Sequence, residues 1–462
     1  MPNNLSISDK TAEDPPIKLP ETIKFVLDKL EENGFSAYAV GGAVRDYILG
    51  NPVNDWDVTT AALPEETEKV FSDFKVVRTG IKHGTITVIV KDLPVEITTF
   101  RKESGYTDNR HPDKVEFVSD LAEDLKRRDF TVNSLAYNEK EGLIDLYGGL
   151  SDLNSGIIRT VGDPCERFSE DALRILRAVR FSSKLGFSIE EKTYAAAKEL
   201  KENLKNVSAE RIFSEFMKTL CGKNVKNALL NYREIITEII PEMKPCVGFG
   251  QHSKWHLYDV YEHIVRSVEH IEPLPELRAA MFFHDIGKPD CFFTRDGEGH
   301  FYGHAEISAQ KTDKILRRLK ASTALREEVV FLVKNHDIRL SESETKIKKT
   351  LNKTGKERFF HILDVKKADN AAQGTLLAKK EGEDIEKIRI IARKIIDRGE
   401  VYDIKQLKIG GEDLIEVGFS GKDIGEEAEK LLNACMENRL GNDKEKLKAA
   451  AEKDFAKLRK KN

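Results

Sequence analysis

The chain of 462 residues has little cysteine: Cys165, Cys221, Cys246, Cys291 and Cys435 are odd in number, scattered, and free of any Cys-x-x-Cys. That excludes a disulfide framework and a zinc ribbon, and it points to a reducing cytoplasm. No apolar run approaches the roughly 20 residues that a bilayer-crossing helix needs. Residues Met1 to Pro20 are polar and carry proline, without the basic-then-apolar order of a secretory leader. Neither sign of charge dominates, the net being -4. Binding to nucleic acid would therefore have to rest on locally segregated positive charge. There is no fixed-period repeat and no sustained heptad.

The length is too great for one ordinary core and implies two to four domains. Up to about Leu150, short strand patterns (Phe74 to Arg78, Thr85 to Val90, Val95 to Phe100) mix with helices, as in a small mixed sheet. Beyond about Ser169, segments such as Ser169 to Phe181, Glu190 to Leu204 and Ala209 to Leu220 carry apolar stripes at helical spacing. Gly441 to Asn462 holds eight Lys/Arg against four Asp/Glu. It reads either as an RNA-touching tail or as a solvated C-terminal helix.

The densest chemistry lies early. Tyr38-Ala39-Val40 reads as the end of a buried strand, and Gly41-Gly42 as a turn able to take positive φ before a helix from about Val44 to Leu49. A helix start presents free N–H groups to an anion, and Arg45 adds a planar fork suited to phosphate oxygens. From Asp55 to Thr60 the pattern alternates as a strand, so Asp55 and Asp57 project from one face. Two carboxylates on one face repel unless a cation sits between them. Magnesium suits the place, because it takes one or two carboxylates and completes its shell with water and substrate phosphates. Each short motif alone reads as a plain turn or strand edge; together and in order they point to nucleotidyl transfer. Glu96, sharing a face with Thr98 in an alternating strand, is either a third metal-facing carboxylate or an exposed strand glutamate.

A second cluster, Arg127-Arg128-Asp129-Phe130-Thr131-Val132-Asn133, crowds two arginines, which calls for an anion nearby. After Asp145-Leu146-Tyr147-Gly148-Gly149 comes Glu170 to Phe181, in which Asp171, Arg174 and Arg177 recur every three residues and line one helix face. A carboxylate accepts hydrogen bonds and a guanidinium only donates. Cytosine and adenine both present an amino donor beside a ring-nitrogen acceptor, so Asp171 with Arg174 would admit CTP and ATP and refuse UTP and GTP. The plain alternative is an i,i+3 salt bridge on a helix surface.

These ordered motifs resemble the class II tRNA nucleotidyltransferases, the family of CCA-adding enzymes and bacterial poly(A) polymerases, over roughly residues 21 to 220. The resemblance implies an α+β fold: a small mixed-sheet nucleotidyltransferase head, an all-α neck, a helical body of the HD type and a helical tail. It places a flexible tail at 1–20, the head at 21–150, the neck at 151–225, the HD-type body at 226–350 and a tRNA-contacting tail at 351–462. It carries over Asp55 and Asp57 as metal ligands, Arg128 and Asp129 as sugar and phosphate contacts, and Asp171 with Arg174 as base readers; Gly41, Gly42 and Arg45 are expected to steady the triphosphate, with Asn133 and Arg177 as further nucleotide-binding residues. Ala209 to Glu215 resembles the helix supporting that set, and Ser134 stands where alanine is usual. The implied partners are tRNA, CTP and ATP, with Mg2+ as cofactor. Arg101 to Pro112 resembles the flexible loop of members that incorporate adenine, and Tyr106-x-Asp108-x-Arg110-His111-Pro112 favours full CCA addition over A-addition alone or poly(A) synthesis.

A further set, His263, His284-Asp285, Gly303-His304 and Asn335-His336-Asp337, resembles the HD phosphohydrolase superfamily. That resemblance implies His263, His284, Asp285 and Asp337 as ligands of a divalent transition metal, with His304 as an added ligand or phosphate contact. Alternatively the fold is kept as a tRNA-holding body without activity, or the HD site is the main enzyme and the head only docks RNA.

Overall fold

The computed structural model describes residues 17–53, 55–104, 114–252 and 257–459. The chain divides into two compact units, one ending at Pro241 and the other beginning at Glu242. The helices Val225–Asn231 and Arg233–Ile239 therefore belong to the first unit, beyond the joint expected at 225.

The first unit opens with the helix Glu21–Glu32 and a sheet built from β1 (Ala37–Val40), β2 (Asp57–Thr60), β3 (Lys75–Val77), β4 (Thr85–Val90) and β5 (Leu93–Thr99). A separate antiparallel pair, β6 (Arg101–Ser104) and β7 (Lys114–Phe117), follows, and β8 (Leu135–Asn138) and β9 (Gly142–Asp145) return to the sheet. The seven-stranded order is β3-β4-β5-β2-β1-β8-β9. Within this sheet β2 and β5 run parallel and the other neighbours antiparallel. Alternation explains β4, whose Ile86, Val88 and Val90 are buried while the residues between them are half-buried. Behind β1, Tyr38, Val40, Phe100, Leu125 and Ala136 form a core cluster.

The helices that follow include Pro164–Glu170, Leu173–Leu185, Glu191–Glu199 and Ala209–Leu220, the last as its apolar stripe predicts. The predicted helix across 190–204 stops at Glu199 and continues as a 3-10 turn, Lys201–Asn206. The stretch 169–181 is not one helix either. At Asp171 the backbone is extended (φ -139°, ψ 102°), and the Asp171 carboxylate accepts from the Leu173 N–H at 3.0 Å. An aspartate that captures an early helical N–H starts a helix rather than continuing one.

Among its described residues the second unit is helical, from Val260–Glu269 to Lys444–Arg459, with one antiparallel hairpin, Phe293–Arg295 with Glu298–His300. One core gathers Ile347, Leu351, Phe359, Leu363 and Ile388; a second gathers Leu414, Phe419, Leu431, Leu447 and Ala451. The last helix buries Leu447 and Ala451 and pairs Lys444 with Asp413 and Lys448 with Glu416, which supports the solvated-helix reading of the basic C-terminal stretch. Among the described residues no helix is long and apolar enough to cross a membrane.

Candidate functional site

The parallel pairing of β2 with β5 sets Asp57 directly beside Glu96. Strand β2 begins only at Asp57, so Asp55 lies in the segment leading into it, and Asn54 lies outside the described residues. Asp55, Asp57 and Glu96 are all solvent-exposed. The Asp57 carboxyl is nonetheless pushed up in pKa, first by crowding that strips its water and then by the charges of Glu96 and Asp55, with Arg128 opposing. Asp55 is therefore near enough for its charge to be felt. Three carboxylates with Arg128 opposing them at Asp57 make a set whose charge a divalent cation would balance.

Gly41 has φ +75°, and a Cβ there would meet Arg128 Nη1 at 3.0 Å. The glycine thus allows both the turn and the close approach of Arg128, whose Nη2 donates to Asp124 Oδ2 at 3.3 Å. The following helix is Gly42–Ile48, starting earlier than predicted. Arg45, expected as a phosphate contact, is held by neighbouring side chains in this structure. It is 3 % exposed, donates to Asn133 and to Asp46, and lies over the Phe181 ring with its Cζ at 5.1 Å. All three of its nitrogens have partners, which fixes the guanidinium in place.

Asp129 is the junction of the first unit. It accepts from the Phe130 N–H at 2.9 Å, from Asn133 Nδ2 at 3.0 Å and from Arg177 Nε at 2.7 Å. Burial alone would raise its pKa, but Arg177, Asn133 and Arg174 outweigh burial and hold it at about 2. The link joins the loop before β8 to the helix Leu173–Leu185. Ser134 satisfies its buried hydroxyl on the Leu125 carbonyl at 2.8 Å, so the exchange from alanine costs no stranded polar group.

Asp171 and Arg174 do not form the i,i+3 pair with each other. Arg211, from the supporting helix, donates to Asp171 Oδ2 at 2.8 Å, while Arg174 donates to Glu170, to the Arg167 carbonyl at 3.0 Å and to the Arg127 carbonyl at 3.1 Å. Arg174 and Arg177 share a helix face, and Asp171 sits in the break before it. Arg211 and Glu170 are partners that residue type and spacing did not reveal, although both flank the singled-out motifs. Tyr106, Asp108, Arg110, His111 and Pro112 lie outside the described residues.

The second unit holds a tighter cluster. Two groups have ligand atoms within 4.8 Å of one another: His263, His284 and Asp369, and Asp285, His304 and His336. The head carboxylates are not so drawn together. His284 Nδ1 donates to the Met281 carbonyl at 2.7 Å, His304 Nδ1 to Phe301 at 2.8 Å and His336 Nδ1 to Val333 at 2.7 Å, since a carbonyl only accepts. Each bond occupies Nδ1 and leaves Nε2 as the ring nitrogen turned toward the cluster. His304 and His336 then point these Nε2 atoms at each other across 3.0 Å, and His263 and His284 across 3.3 Å. Imidazole nitrogens and carboxylates converging this closely make a donor set that a shared cation fits. Burial would lower His284, but Asp285 and Asp369 hold it up at about 10, and both carboxyls lie well below their usual range. His304 is lowered, by burial first and by His336 and Lys288 besides.

Asp337 is not in this cluster. It is exposed, while its neighbour His336 is buried, because one residue turns a helix end by about 100° and only one of the two can face inward. The carboxylate near His263 is Asp369, on the helix Lys356–Gln373, with Oδ1 at 2.9 Å from His263 Nε2. It stands between buried Ala368 and Asn370, a placement that the polar local sequence Lys366-Lys367-Ala368-Asp369-Asn370 does not signal.

The mixed sheet with carboxylates side by side on its central strands, next to a glycine turn and an arginine, defines a nucleotidyltransferase head. Family profiles agree: residues 37–159 match the poly(A) polymerase head domain, 186–246 a probable RNA- and SrmB-binding site of polymerase A, and 300–451 a putative second domain of tRNA nucleotidyltransferase. The chain is 36% identical over 421 residues to the CCA-adding enzyme of Lactobacillus helveticus, covering 90% of this chain and 93% of that protein. It is 53% identical over 207 residues to the CCA-adding enzyme of Ligilactobacillus salivarius, a match spanning 45% of this chain and about half, 51%, of that relative. The crystal structure of the Bacillus stearothermophilus CCA-adding enzyme in complex with CTP superposes with a TM-score of 0.69 at 28% identity, covering 96% of this chain and 98% of that one. The chain belongs to the CCA-adding enzyme family.

Proposed function

We propose that this protein adds CCA to the 3′ end of tRNA from CTP and ATP, without a nucleic-acid template. The observation that carries the reading is the register placing Glu96 beside Asp57, with Asp55 close enough to raise the Asp57 pKa. Family membership implies a divalent metal, and Mg2+ suits an exposed carboxylate set that substrate phosphates complete. Two magnesium ions held by Asp55 and Asp57, with Glu96 beside them, would activate the attacking 3′-hydroxyl and neutralise the leaving pyrophosphate. Arg128, packed on the Gly41 turn, balances charge beside the metals. Asp171 and Arg174 read the base, Arg211 and Glu170 hold that pair before nucleotide arrives, and the Asp129–Arg177 link fixes the reading helix to the head. Residues 21–150 serve as the head, 151–225 as the neck, and the helical remainder as the body and tRNA-contacting tail, in a cytoplasmic protein.

The test is to sequence the 3′ ends of a tRNA lacking its terminus after incubation with the protein, Mg2+ and all four triphosphates. Ends reading C, C, A and then stopping are expected. A-only extension of a tRNA already ending in CC would indicate an A-adding enzyme, and an unbounded A run a poly(A) polymerase.

A second reading applies to the other unit. The facing Nε2 pairs and flanking carboxylates support a divalent transition metal held by His263, His284, Asp285, His304, His336 and Asp369. A metal there would polarise a phosphate ester and activate water. Elemental analysis of the purified protein, with His284→Ala as control, tests it: metal lost with the variant supports the site, and metal-free wild-type protein refutes it.

A further inference from the structure

Asp124, on the helix Leu121–Lys126, is fully buried against the same sheet face that carries the head carboxylates. Thr59 Oγ1 reaches its Oδ2 at 3.4 Å, and Thr59 stands two residues along β2 from Asp57, so both side chains leave one face of that strand. Two arginines share this one carboxylate. Arg127 has the closer bonds, its Nε and Nη2 donating to Oδ1 at 3.0 and 2.6 Å, while Arg128 gives a single longer one, Nη2 to Oδ2 at 3.3 Å. Burial would raise the Asp124 pKa, but the two guanidinium groups outweigh it and hold the carboxyl below its ordinary value.

The other arm of the Arg128 fork lies toward Asp57. Its Nη1 rests against Gly41, 3.0 Å from where a Cβ would stand, and Gly41 follows Val40, the residue paired with Asp57 across β1 and β2. A guanidinium so placed has carboxylates on two sides: Asp124 on one, and on the other Asp57 with Glu96 beside it in β5. A guanidinium bound to Asp57 would use the oxygen lone pairs that a divalent ion needs. Holding Arg128 by Nη2 keeps its charge close and those oxygens open.

We infer that Asp124 is a positioning residue for nucleotidyl transfer: it tethers Arg128 so that the guanidinium stays beside the metal site without closing onto Asp57. The inference rests on the reading of Asp55 and Asp57 as metal ligands. Incorporation of CTP into a tRNA lacking its terminus, followed across Mg2+ concentrations in a cycle of single and double substitutions, tests it. Asp124→Asn sets an amide donor where Arg128 found only acceptors, and should raise the half-saturating Mg2+ concentration about fivefold, as for one ion pair that the metal must displace. Arg128→Gln should weaken addition by itself, and Asp124→Asn added to it should move the Mg2+ requirement by less than about twofold, because the competitor is gone. Since Asp124 is buried, Arg127→Gln is also compared with Arg127→Gln/Asp124→Asn, in which a cation leaves together with the anion; the same rise of about fivefold is expected. An unchanged Mg2+ requirement on loss of the Asp124 charge overturns the tether, and so does an equal rise with and without Arg128, which would mark Asp124 as a general support of the fold. Addition by the wild type that survives Asp55→Ala/Asp57→Ala overturns the metal reading itself. Addition that depends on those two residues but whose Mg2+ requirement ignores Asp124 overturns the tether alone.

Discussion

The two anionic sites of this chain are built in opposite ways. In the head, Asp55, Asp57 and Glu96 sit exposed on a sheet face, and their ligand atoms are not gathered into a tight group. In the second unit His263, His284, Asp285 and His336 are buried within or just past helices, His304 is half-buried, and backbone carbonyls hold three of the rings. The contrast teaches what each site brings to its metal. An open carboxylate set leaves most of the coordination shell to water and substrate, and so suits an ion that arrives with a triphosphate. A largely buried imidazole set with rings held by backbone carbonyls is organised before anything binds, and suits a resident ion.

The sharpest way to break this contrast is to disable each site and look for damage in the other. Asp57→Ala is expected to lower nucleotide addition by at least about a hundredfold in a primer-extension assay, with the metal content of the second unit unchanged. Next in size, Asp171→Ala should relax the choice of CTP and ATP over UTP and GTP by about ten- to a hundredfold in single-nucleotide incorporation, because the acceptor for the amino group is gone. The cluster variant His284→Ala should empty the second site in elemental analysis and change addition by no more than about twofold.

The smallest effect concerns the brace of the first unit. Asp129→Asn should cost about 2 kcal/mol in urea unfolding followed at neutral pH, since the native carboxyl sits near 2 against an ordinary value of 3.8. A depressed folded-state pKa stabilises above the unfolded value. The difference between variant and wild type should therefore be full above about pH 5 and fade as pH falls from 4 toward 2.

Much of the architecture is legible in the residues. Thr85 to Val90 alternates and forms β4 with those bounds, and the stripe of Ala209 to Leu220 forms its helix with those bounds. Asp57 and Glu96 are legible as strand carboxylates, but their adjacency is a matter of register between segments far apart in sequence. The break at Asp171 is hidden because no glycine or proline marks it; the carboxylate itself starts the helix. Arg45 reads as a phosphate ligand by type, yet Asn133, Asp46 and Phe181, two of them remote in sequence, bury it. Asp337 and His336 differ by one step around a helix end, and Asp369 lies among lysines and polar residues that resemble a solvated face. Local pattern thus reveals which elements form, while tertiary pairing decides which polar groups meet.

The central claim is that Asp55 and Asp57 clamp divalent cations over an incoming triphosphate. Its most direct test is electron paramagnetic resonance of Mn2+ titrated into the full chain with and without CTP. Mn2+ should bind the wild type more tightly once CTP is present, and Asp55→Ala/Asp57→Ala should lose that gain while keeping any Mn2+ held by the second unit. A CTP-dependent gain that survives the double substitution would contradict the account.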